Sequence, residues 1–375
     1  MNFAQIELYH LRIPFQIPFK HNLATHLAGN NLIVKLTTKE GLIGYGEGVP
    51  RDFVTGESIT DSYRVLREWL LSFRGEAEVE NSDRIWTTIA DLIGDSLRAA
   101  APAACCALEL AILDCAGKQL HCSLADFLPP ARYTPRYSAV LPMTGPNTSQ
   151  NLLNQIRRMA IPHVKLKVGG AEDHVLVAQA REILGAEVDI RVDANGAWSA
   201  PEAVARITAL LPQAISAVEQ PVAKTDFEGL RTVSREIPIP VIADESLCTE
   251  EDAMRLTTMG ACSMFNIRIS KCGGIRTAMQ MYDHAHHNGI QSQLGCQVGE
   301  TGILSAAGRH LAAAFDFKYL EGSYGPFLLE KDIVNETVVF GPGGHADPLP
   351  GYGLGISVND GILQHYTVDQ CQIKI

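Results

Sequence analysis

Hydrophobic positions in the first part of the chain predict strands followed by helices. Helical periodicity occurs in segments 58–73, 82–93 and 103–120. Because the last segment is apolar on nearly every face, we expect it to be a helix buried between domains. Three earlier segments have the residue types and flanking turns of strands: 6–13, 31–38 and 42–46. These elements predict an α+β domain at the start of the chain.

The pattern changes near Tyr137, where short apolar runs begin to alternate with amphipathic helices. Such alternation is typical of βα units and a parallel sheet. Ser199 with Glu202 and Thr225 with Glu228 predict capping boxes at two helix starts. The strand runs are 138–141, 164–168, 189–192, 217–218, 241–243, 264–269, 291–294 and 317–320.

Eight strand runs are the number that a closed β/α barrel requires. We therefore predict an α/β fold, a modified (β/α)8 TIM-type barrel with an N-terminal α+β capping domain. The predicted boundaries are 1–132 for the capping domain, 133–340 for the barrel and 341–375 for the tail. We expect this glycine-rich tail to leave the barrel and to complete the capping domain.

Composition and charge exclude several classes of function. The chain has 375 residues and a formal net charge of −11 at pH 7, without a long run of Lys or Arg. Nucleic acid is not an expected partner, because phosphate binding needs clustered positive charge. No apolar stretch is long enough to span a bilayer, and the start lacks a signal-peptide pattern. Nine cysteines without framework spacing favour free thiols in a reducing compartment, hence the cytoplasm.

Three carboxylates end successive strand runs at nearly equal intervals along the chain: Asp193, Glu219 and Asp244. Equal intervals are what one βα unit per step produces, and the carboxyl ends of barrel strands converge on one face. Three neighbouring carboxylates repel one another unless a cation or protons neutralise them. Ligands that are all oxygen favour a hard ion such as Mg²⁺.

Lysines flank these carboxylates. Lys165 and Lys167 alternate with apolar residues, so both are predicted to face the barrel interior. Burial and the like charge are expected to lower the pKa of such a lysine, which makes it a base near neutral pH. Lys271 ends the sixth run, across the barrel, and Arg268 of that run is expected to face the interior without an assigned role. Two bases on opposite faces suit a 1,1-proton transfer, although the second lysine could instead be a cation that steadies an enolate.

The motifs at these strand ends resemble the enolase superfamily, muconate lactonizing enzyme subgroup, and the likeness covers nearly the whole chain. The glycine-rich segment 44–48 is similar to part of the capping domain of that family. The motifs are Lys165-Leu166-Lys167, Asp193-Ala194-Asn195-Gly196, Glu219-Gln220-Pro221, Asp244-Glu245-Ser246 and Lys271-Cys272-Gly273-Gly274.

The resemblance implies that Lys167 and Lys271 are acid and base on opposite faces of the substrate, and that Lys165 assists Lys167. Asn195 would contact the substrate, and Glu245 would support the metal ligands. The known chemistry of this superfamily is a Lys or His base with Mg²⁺ on an enediolate. The implied Mg²⁺ ligands are Asp193, Glu219 and Asp244.

Specificity is expected from the last two strand ends and the capping domain. The seventh strand end places Cys296 and Glu300 as candidate substrate contacts, with one extra residue before Glu300 compared with the family. The eighth carries Glu321 and Ser323 where dipeptide epimerases of the family have an Asp-x-Asp for the substrate ammonium. Glu321 or Glu300 could still bind a cationic group.

The first hypothesis for function is racemisation or epimerisation of an N-acyl amino acid or a dipeptide. The second is a muconate-type cycloisomerase or an o-succinylbenzoate-type dehydratase, in which one lysine acts only electrostatically. A non-catalytic binding protein is the third, and the intact set of lysines and carboxylates argues against it. The expected partner is a small-molecule carboxylate, and the resemblance implies a homo-oligomer.

Overall fold

The computed structural model describes residues 1–73 and 84–375. The start of the predicted segment 82–93 lies outside the described residues, and the helix is seen from Ile85 onwards. None of the described helices is long and apolar enough to cross a membrane. The N-terminal elements are β1 (Phe3–His21), β2 (Ala24–Thr38), β3 (Ile43–Gly48), α1 (Ile59–Leu70), α2 (Ile85–Ala100) and α3 (Pro102–Leu120).

The capping domain is an antiparallel sheet that packs on the buried helix α3. Its strands lie in the order β12-β1-β2-β3, and β12 (Thr367–Lys374) comes from the end of the chain. The glycines of β3 allow the sheet to approach the helix closely. A Cβ on Gly46 would lie 1.9 Å from Ala107 O, and one on Gly48 would lie 1.9 Å from Ala103 O. The tail therefore returns to the capping domain, as the sequence predicts.

Eight parallel strands follow one another around the second sheet in chain order. The first and last are joined by a parallel bridge from Tyr137 to Leu320, where Ser138 N donates to Leu320 O at 2.8 Å. The predicted β/α barrel with its capping domain is confirmed. The strands are β4 (Ala139–Leu141), β5 (His163–Lys167), β6 (Asp189–Asp193), β7 (Ile215–Glu219), β8 (Val241–Ala243), β9 (Met264–Ile267), β10 (Gln291–Leu294) and β11 (Tyr319–Leu320).

Helices separate the strands and cover the outside of the barrel. Their amphipathic faces carry buried residues such as Leu153 and Leu230. These helices are α4 (Pro146–Arg158), α5 (Asp173–Leu184), α6 (Ala200–Leu210), α7 (Phe227–Glu236), α8 (Glu250–Met259), α9 (Ile269–Cys272), α10 (Ile275–His287) and α11 (Gly302–Ala314). Two more helices, α12 (Gly325–Leu328) and α13 (Asp360–Tyr366), follow the last barrel strand.

Two details of the predicted helix starts are wrong. Ser199 precedes α6, but its side chain accepts no capping hydrogen bond. Helix α7 is capped by Asp226 rather than Thr225, and its carboxylate accepts from Gly229 N at 2.8 Å. Asp226 directly precedes the first helical residue, so its carboxylate reaches the free N–H groups of the first turn of α7.

The sixth strand is shorter than predicted. It ends at Ile267, and the chain then turns through the short helix α9 before Gly273 and Gly274. Both glycines have positive φ, at 90° and 127°, which favours residues without a Cβ. This turn decides which side chains of the segment reach the barrel interior.

Candidate active site

A cavity of about 1090 Å³, including its open mouth, lies at the carboxyl ends of the barrel strands. The barrel supplies its polar floor, with Lys165 and Lys167 from β5. The capping domain supplies an apolar wall that includes Phe19 and Phe53. Loops after strand ends commonly carry the active sites of barrel enzymes, so this cavity is the candidate active site.

The three predicted ligand carboxylates lie on adjacent strands and are fully buried. Asp193 ends β6, Glu219 ends β7 and Asp244 follows β8. Lys165 Nζ lies 3.3 Å from Asp193 Oδ2 and 3.1 Å from Glu219 Oε1. Arg268 forms an ion pair with Asp244, and its Nη2 lies 3.8 Å from Glu219 Oε1. Cationic nitrogens thus stand between neighbouring carboxylates.

Within residues 1–73 and 84–375, no three His, Cys, Asp or Glu side chains converge closely enough to hold a metal ion as they stand. The donor set nevertheless fits a hard cation, because it consists of buried oxygens that already attract positive charge. Three further buried oxygen atoms lack a hydrogen-bond donor: Glu245 Oε2, Asn266 Oδ1 and Gln293 Oε1.

The charges of this cluster depend on one another. Burial raises the pKa of Asp193 despite the nearby Lys167. Burial acts in the same direction on Glu219, but the attraction of Lys165 and Lys167 outweighs it and holds the pKa of Glu219 well below its usual range. Burial alone would lower the pKa of Lys165. The attraction of Glu219, Glu321 and Asp193 outweighs burial, so the pKa of Lys165 lies above its usual value. The prediction of a lowered pKa is therefore wrong for Lys165.

Lys167 reaches the cavity wall next to the carboxylates. Its Nζ lies 2.5 Å from Asp193 Oδ2 and 2.9 Å from Asn195 Oδ1. Asn195 in turn donates through Nδ2 to Glu245 Oε1 at 2.9 Å. Burial and repulsion from Asp244 raise the pKa of Glu245 to about 7. Through its two hydrogen bonds, Asn195 fixes Lys167 and Glu245 relative to each other at the edge of the cavity.

The structure places Lys271 beneath the cavity rather than on its wall. Its ammonium donates to Asp244 O at 2.7 Å, to Asp244 Oδ1 at 2.9 Å and to Asn266 O at 2.9 Å. An ammonium has three N–H donors, so all of them are used. Arg268 lines the cavity instead, directly after β9.

The inward position of Arg268 agrees with the expectation from the sequence. Asn266 and Arg268 are polar residues two positions apart in an otherwise apolar run, and both side chains point into the barrel. Lys271 does not continue this pattern, because the strand ends at Ile267 and the chain enters α9. In a continued strand it would lie three positions after Arg268 and so on the opposite face.

Of the predicted substrate contacts, Cys296, Glu300 and Glu321 all line the cavity. Glu321 already pairs with two cations, Lys165 Nζ at 2.7 Å and Arg191 Nη2 at 2.5 Å. Burial raises the pKa of Glu321, but these two cations together lower it. Glu321 is thus neutralised from within the barrel.

Glu300 is a further buried acidic group that lines this cavity. Its Oε1 accepts from Gln297 N at 2.6 Å. Burial, with a contribution from the charge of Glu47, raises the pKa of Glu300 to about 8. At neutral pH this side chain is therefore mostly an uncharged acid.

The tip of the β1–β2 hairpin is attached to the floor of the site. Asn22 Nδ2 donates to Val168 O at 2.5 Å and to Ala194 O at 2.7 Å. These carbonyl groups directly follow Lys167 and Asp193. The hairpin tip therefore closes one side of the cavity through hydrogen bonds to the barrel.

Comparison with known proteins agrees with this architecture. The family model described as "Mandelate racemase / muconate lactonizing enzyme, N-terminal domain" matches residues 5–128, and "Enolase C-terminal domain-like" matches residues 149–362. The chain is 32% identical to a hydrophobic dipeptide epimerase of Enterococcus faecalis over 316 residues, which cover 84% of this chain and 88% of that protein. It is 30% identical to an N-succinyl-L-Arg/Lys racemase of Bacillus cereus over 376 residues, with 99% of each covered.

Solved structures with a similar fold are also a racemase and an epimerase. The crystal structure of N-succinyl Arg/Lys racemase from Bacillus cereus matches with a TM-score of 0.91 and 29% identity over 100% of both chains. A dipeptide epimerase from Cytophaga hutchinsonii, complexed with Mg and the dipeptide D-Ala-L-Val, matches with a TM-score of 0.89 and 27% identity over 100% of both chains. The chain belongs to the mandelate racemase / muconate lactonizing enzyme family of the enolase superfamily.

Proposed function

We propose that this chain abstracts the proton α to a carboxylate group through an enediolate, with an N-acyl amino acid or a dipeptide as substrate. The observation that carries the proposal is the row of buried carboxylates on three adjacent strand ends, with Lys167 on the cavity wall beside them. The relatives whose names describe dipeptide epimerases and an N-succinyl amino acid racemase support the substrate class.

We propose that Asp193, Glu219 and Asp244 hold Mg²⁺. When bound, the ion would supply positive charge that stabilises the negative charge developing on the two enediolate oxygens. Lys167 takes the α proton at Nζ, since it lines the cavity, whereas the ammonium of Lys165 is held by Glu219 and Glu321. Lys165 contributes a second positive charge and keeps the carboxylates in place. The aromatic wall of the capping domain excludes water, which strengthens these interactions.

The fate of the enediolate distinguishes two candidate reactions. Epimerisation is the first, because the curated relatives with at least 30% identity are named as an epimerase and a racemase. The second is the cycloisomerase or dehydratase type, in which the cation opposite the base is only electrostatic. The position of Arg268 opposite Lys167 favours this second candidate.

The test is deuterium uptake at the α carbon in D₂O, followed by mass spectrometry over a library of dipeptides and N-acyl amino acids. The protein is assayed with Mg²⁺ and again after removal of metal by a chelator. We expect uptake in at least one substrate group, loss of uptake on chelation and recovery on addition of Mg²⁺. Absence of uptake throughout the library with Mg²⁺ present would overturn the proposed function.

We also propose a cytoplasmic location and a homo-oligomeric state. The nine cysteines are all free thiols in the structure, which suits a reducing compartment. The oligomer is an expectation from the family alone, and size-exclusion chromatography with light scattering tests it. The boundaries at 132/133 and 340/341 are likewise part of this proposal.

A further inference from the structure

Proton transfer in this site is expected to be unequal on the two faces of the substrate. We infer that Arg268, supported by Gln297, is a fixed cation opposite Lys167 that steadies the enediolate without serving as a base. The α proton is then exchanged on one face faster than the stereocentre is inverted. This inference rests on the proposed function and specifies which proton transfers the site can carry out.

The barrel places the two groups on opposite sides of the cavity. Strand β5 is the second of eight strands in chain order and β9 is the sixth, so they lie half a turn apart. Lys167 ends β5, and Arg268 directly follows β9. Both side chains line the cavity. A substrate carbon between them would present opposite faces to the amine and to the guanidinium.

The side of the cavity at β9 lacks an available amine among the described residues. Lys271 donates all three of its N–H groups to Asp244 and to the carbonyl of Asn266. Arg268 has five N–H donors and no acceptor, and a guanidinium does not release its proton in proteins. The group on this side can therefore donate hydrogen bonds to an anion but cannot remove a proton from carbon.

Unused donors indicate that this side binds an oxygen of the substrate. Arg268 is only 7% exposed and Gln297 only 2%. Arg268 Nη1 donates to Gln297 Oε1 at 3.0 Å, which fixes the two side chains together. Arg268 Nε and Gln297 Nε2 are buried without an acceptor. Two such donors on one cavity wall fit a negatively charged oxygen that the chain itself does not supply.

The proton balance follows from this arrangement. Lys167 takes the α proton, and the C–H electron pair moves into the enediolate. The resulting ammonium exchanges its protons with solvent and returns one to the same face, so the original stereochemistry is retained. Inversion requires a proton from the other face. Glu300 also lines the cavity, and the experiment below tests whether it supplies this proton.

The experiment uses one enantiomer of the best substrate from the library, the full-length protein and Mg²⁺ in D₂O. Deuterium uptake is measured by mass spectrometry, and inversion by chiral chromatography of the same samples. We expect wild-type uptake to exceed inversion by about tenfold or more, since general acid–base transfer on one face is missing. Equal rates of uptake and inversion in the wild type would overturn the inference.

A variant then restores an amine at the second position. Arg268→Lys is expected to raise the ratio of inversion to uptake about tenfold, towards one, because the second face then gains a proton donor. The matched control is Arg64→Lys, on the exposed face of α1, and it should leave the ratio unchanged. Thermal unfolding confirms that each variant is folded. A folded Arg268→Lys variant with the wild-type ratio would overturn the inference. Loss of residual inversion in Glu300→Gln would assign that inversion to Glu300 and would support the role of Arg268 as a cation that is not a base.

The wild-type measurement stands even where a variant fails to fold. Its outcomes also separate this inference from the proposed function. Uptake without inversion supports both, whereas uptake with equal inversion supports the proposed function and overturns the role of Arg268. Absence of any uptake overturns the proposed function, and with it the role given to Arg268.

Discussion

The two sides of the barrel that face each other across the cavity hold their positive charges in different ways. On the β5 side, Lys167 ends a strand of five residues and its amine lies at the cavity wall. On the β9 side, the strand ends at Ile267, so Arg268 reaches the wall while Lys271 turns below it in α9. One side thus offers an amine and the other a guanidinium. An amine can transfer a proton near neutral pH, whereas a guanidinium acts only as a cation.

The largest effect is expected from removing the amine on the β5 side. Lys167→Met should lower the rate of α-deuterium uptake by about a thousandfold, because the base is lost. Mass spectrometry of uptake in D₂O measures this rate. Lys318→Met is the matched control, since Lys318 precedes β11 at the opposite end of the barrel. Uptake by Lys167→Met at the wild-type rate would show that Lys167 is not the base.

On the β9 side, replacement of Lys271 should reduce stability before it affects chemistry. Lys271→Ala removes a buried cation from Asp244, and we expect the free energy of unfolding to fall by about 3–5 kcal/mol. Urea denaturation measures the change. Lys35→Met is the control, because its ion pair with the exposed Asp360 should contribute at most about 1 kcal/mol. A fully stable Lys271→Ala variant without uptake would mean that Lys271 takes part in the proton transfer.

A smaller effect is expected where the hairpin tip meets the β5 side. Asn22→Ala removes hydrogen bonds to Val168 O and Ala194 O, which follow Lys167 and Asp193. We expect KM to rise about tenfold because the cavity closes less often over the substrate. Steady-state kinetics measure KM. Asn30→Ala, further along the same hairpin, is the control because its hydrogen bond to His10 is long, at 3.4 Å. An unchanged KM would show that the hydrogen bonds of Asn22 do not contribute to substrate binding.

The last prediction concerns pH at Glu300, which lies in the segment that follows β10. The pKa of Glu300 is raised to about 8 in the folded chain. The folded state therefore holds a proton that the unfolded state releases, and stability falls as pH rises from about 4.3 towards 8. Glu300→Gln should remove this contribution, so its stability relative to the wild type should increase with pH. Urea denaturation at several pH values measures the difference, and a difference independent of pH would contradict it.

The strand ends on the β5 side could be predicted because the sequence there is regular. Lys165 and Lys167 alternate with apolar residues up to the end of the strand, so their common face follows from the period of two. The carboxylates of β6 and β7 follow in the same way. On the β9 side, the inward face of Arg268 could be predicted from its alternation with apolar residues. The position of Lys271 could not, because the strand ends at Ile267 and the chain enters α9.

The charge state of the site was also harder to predict than its position. Glu321 was identified as a possible binding group for a substrate cation, and it does line the cavity. Its neutralisation depends on Arg191, an inward-facing residue of β6 that lies far away in sequence. A buried arginine that pairs across the barrel leaves no local signal in the sequence, so it becomes visible only from the fold.

The measurement that tests the difference between the two sides most directly is deuterium uptake from each enantiomer separately, with wild-type protein and Mg²⁺ in D₂O. Among the described residues, the two lysines that line the cavity both belong to β5, so an amine reaches the α proton of only one enantiomer. We therefore predict rapid uptake into one enantiomer and little into the other. Comparable initial rates of uptake into both would contradict the account, because both sides of the barrel would then have to supply a base.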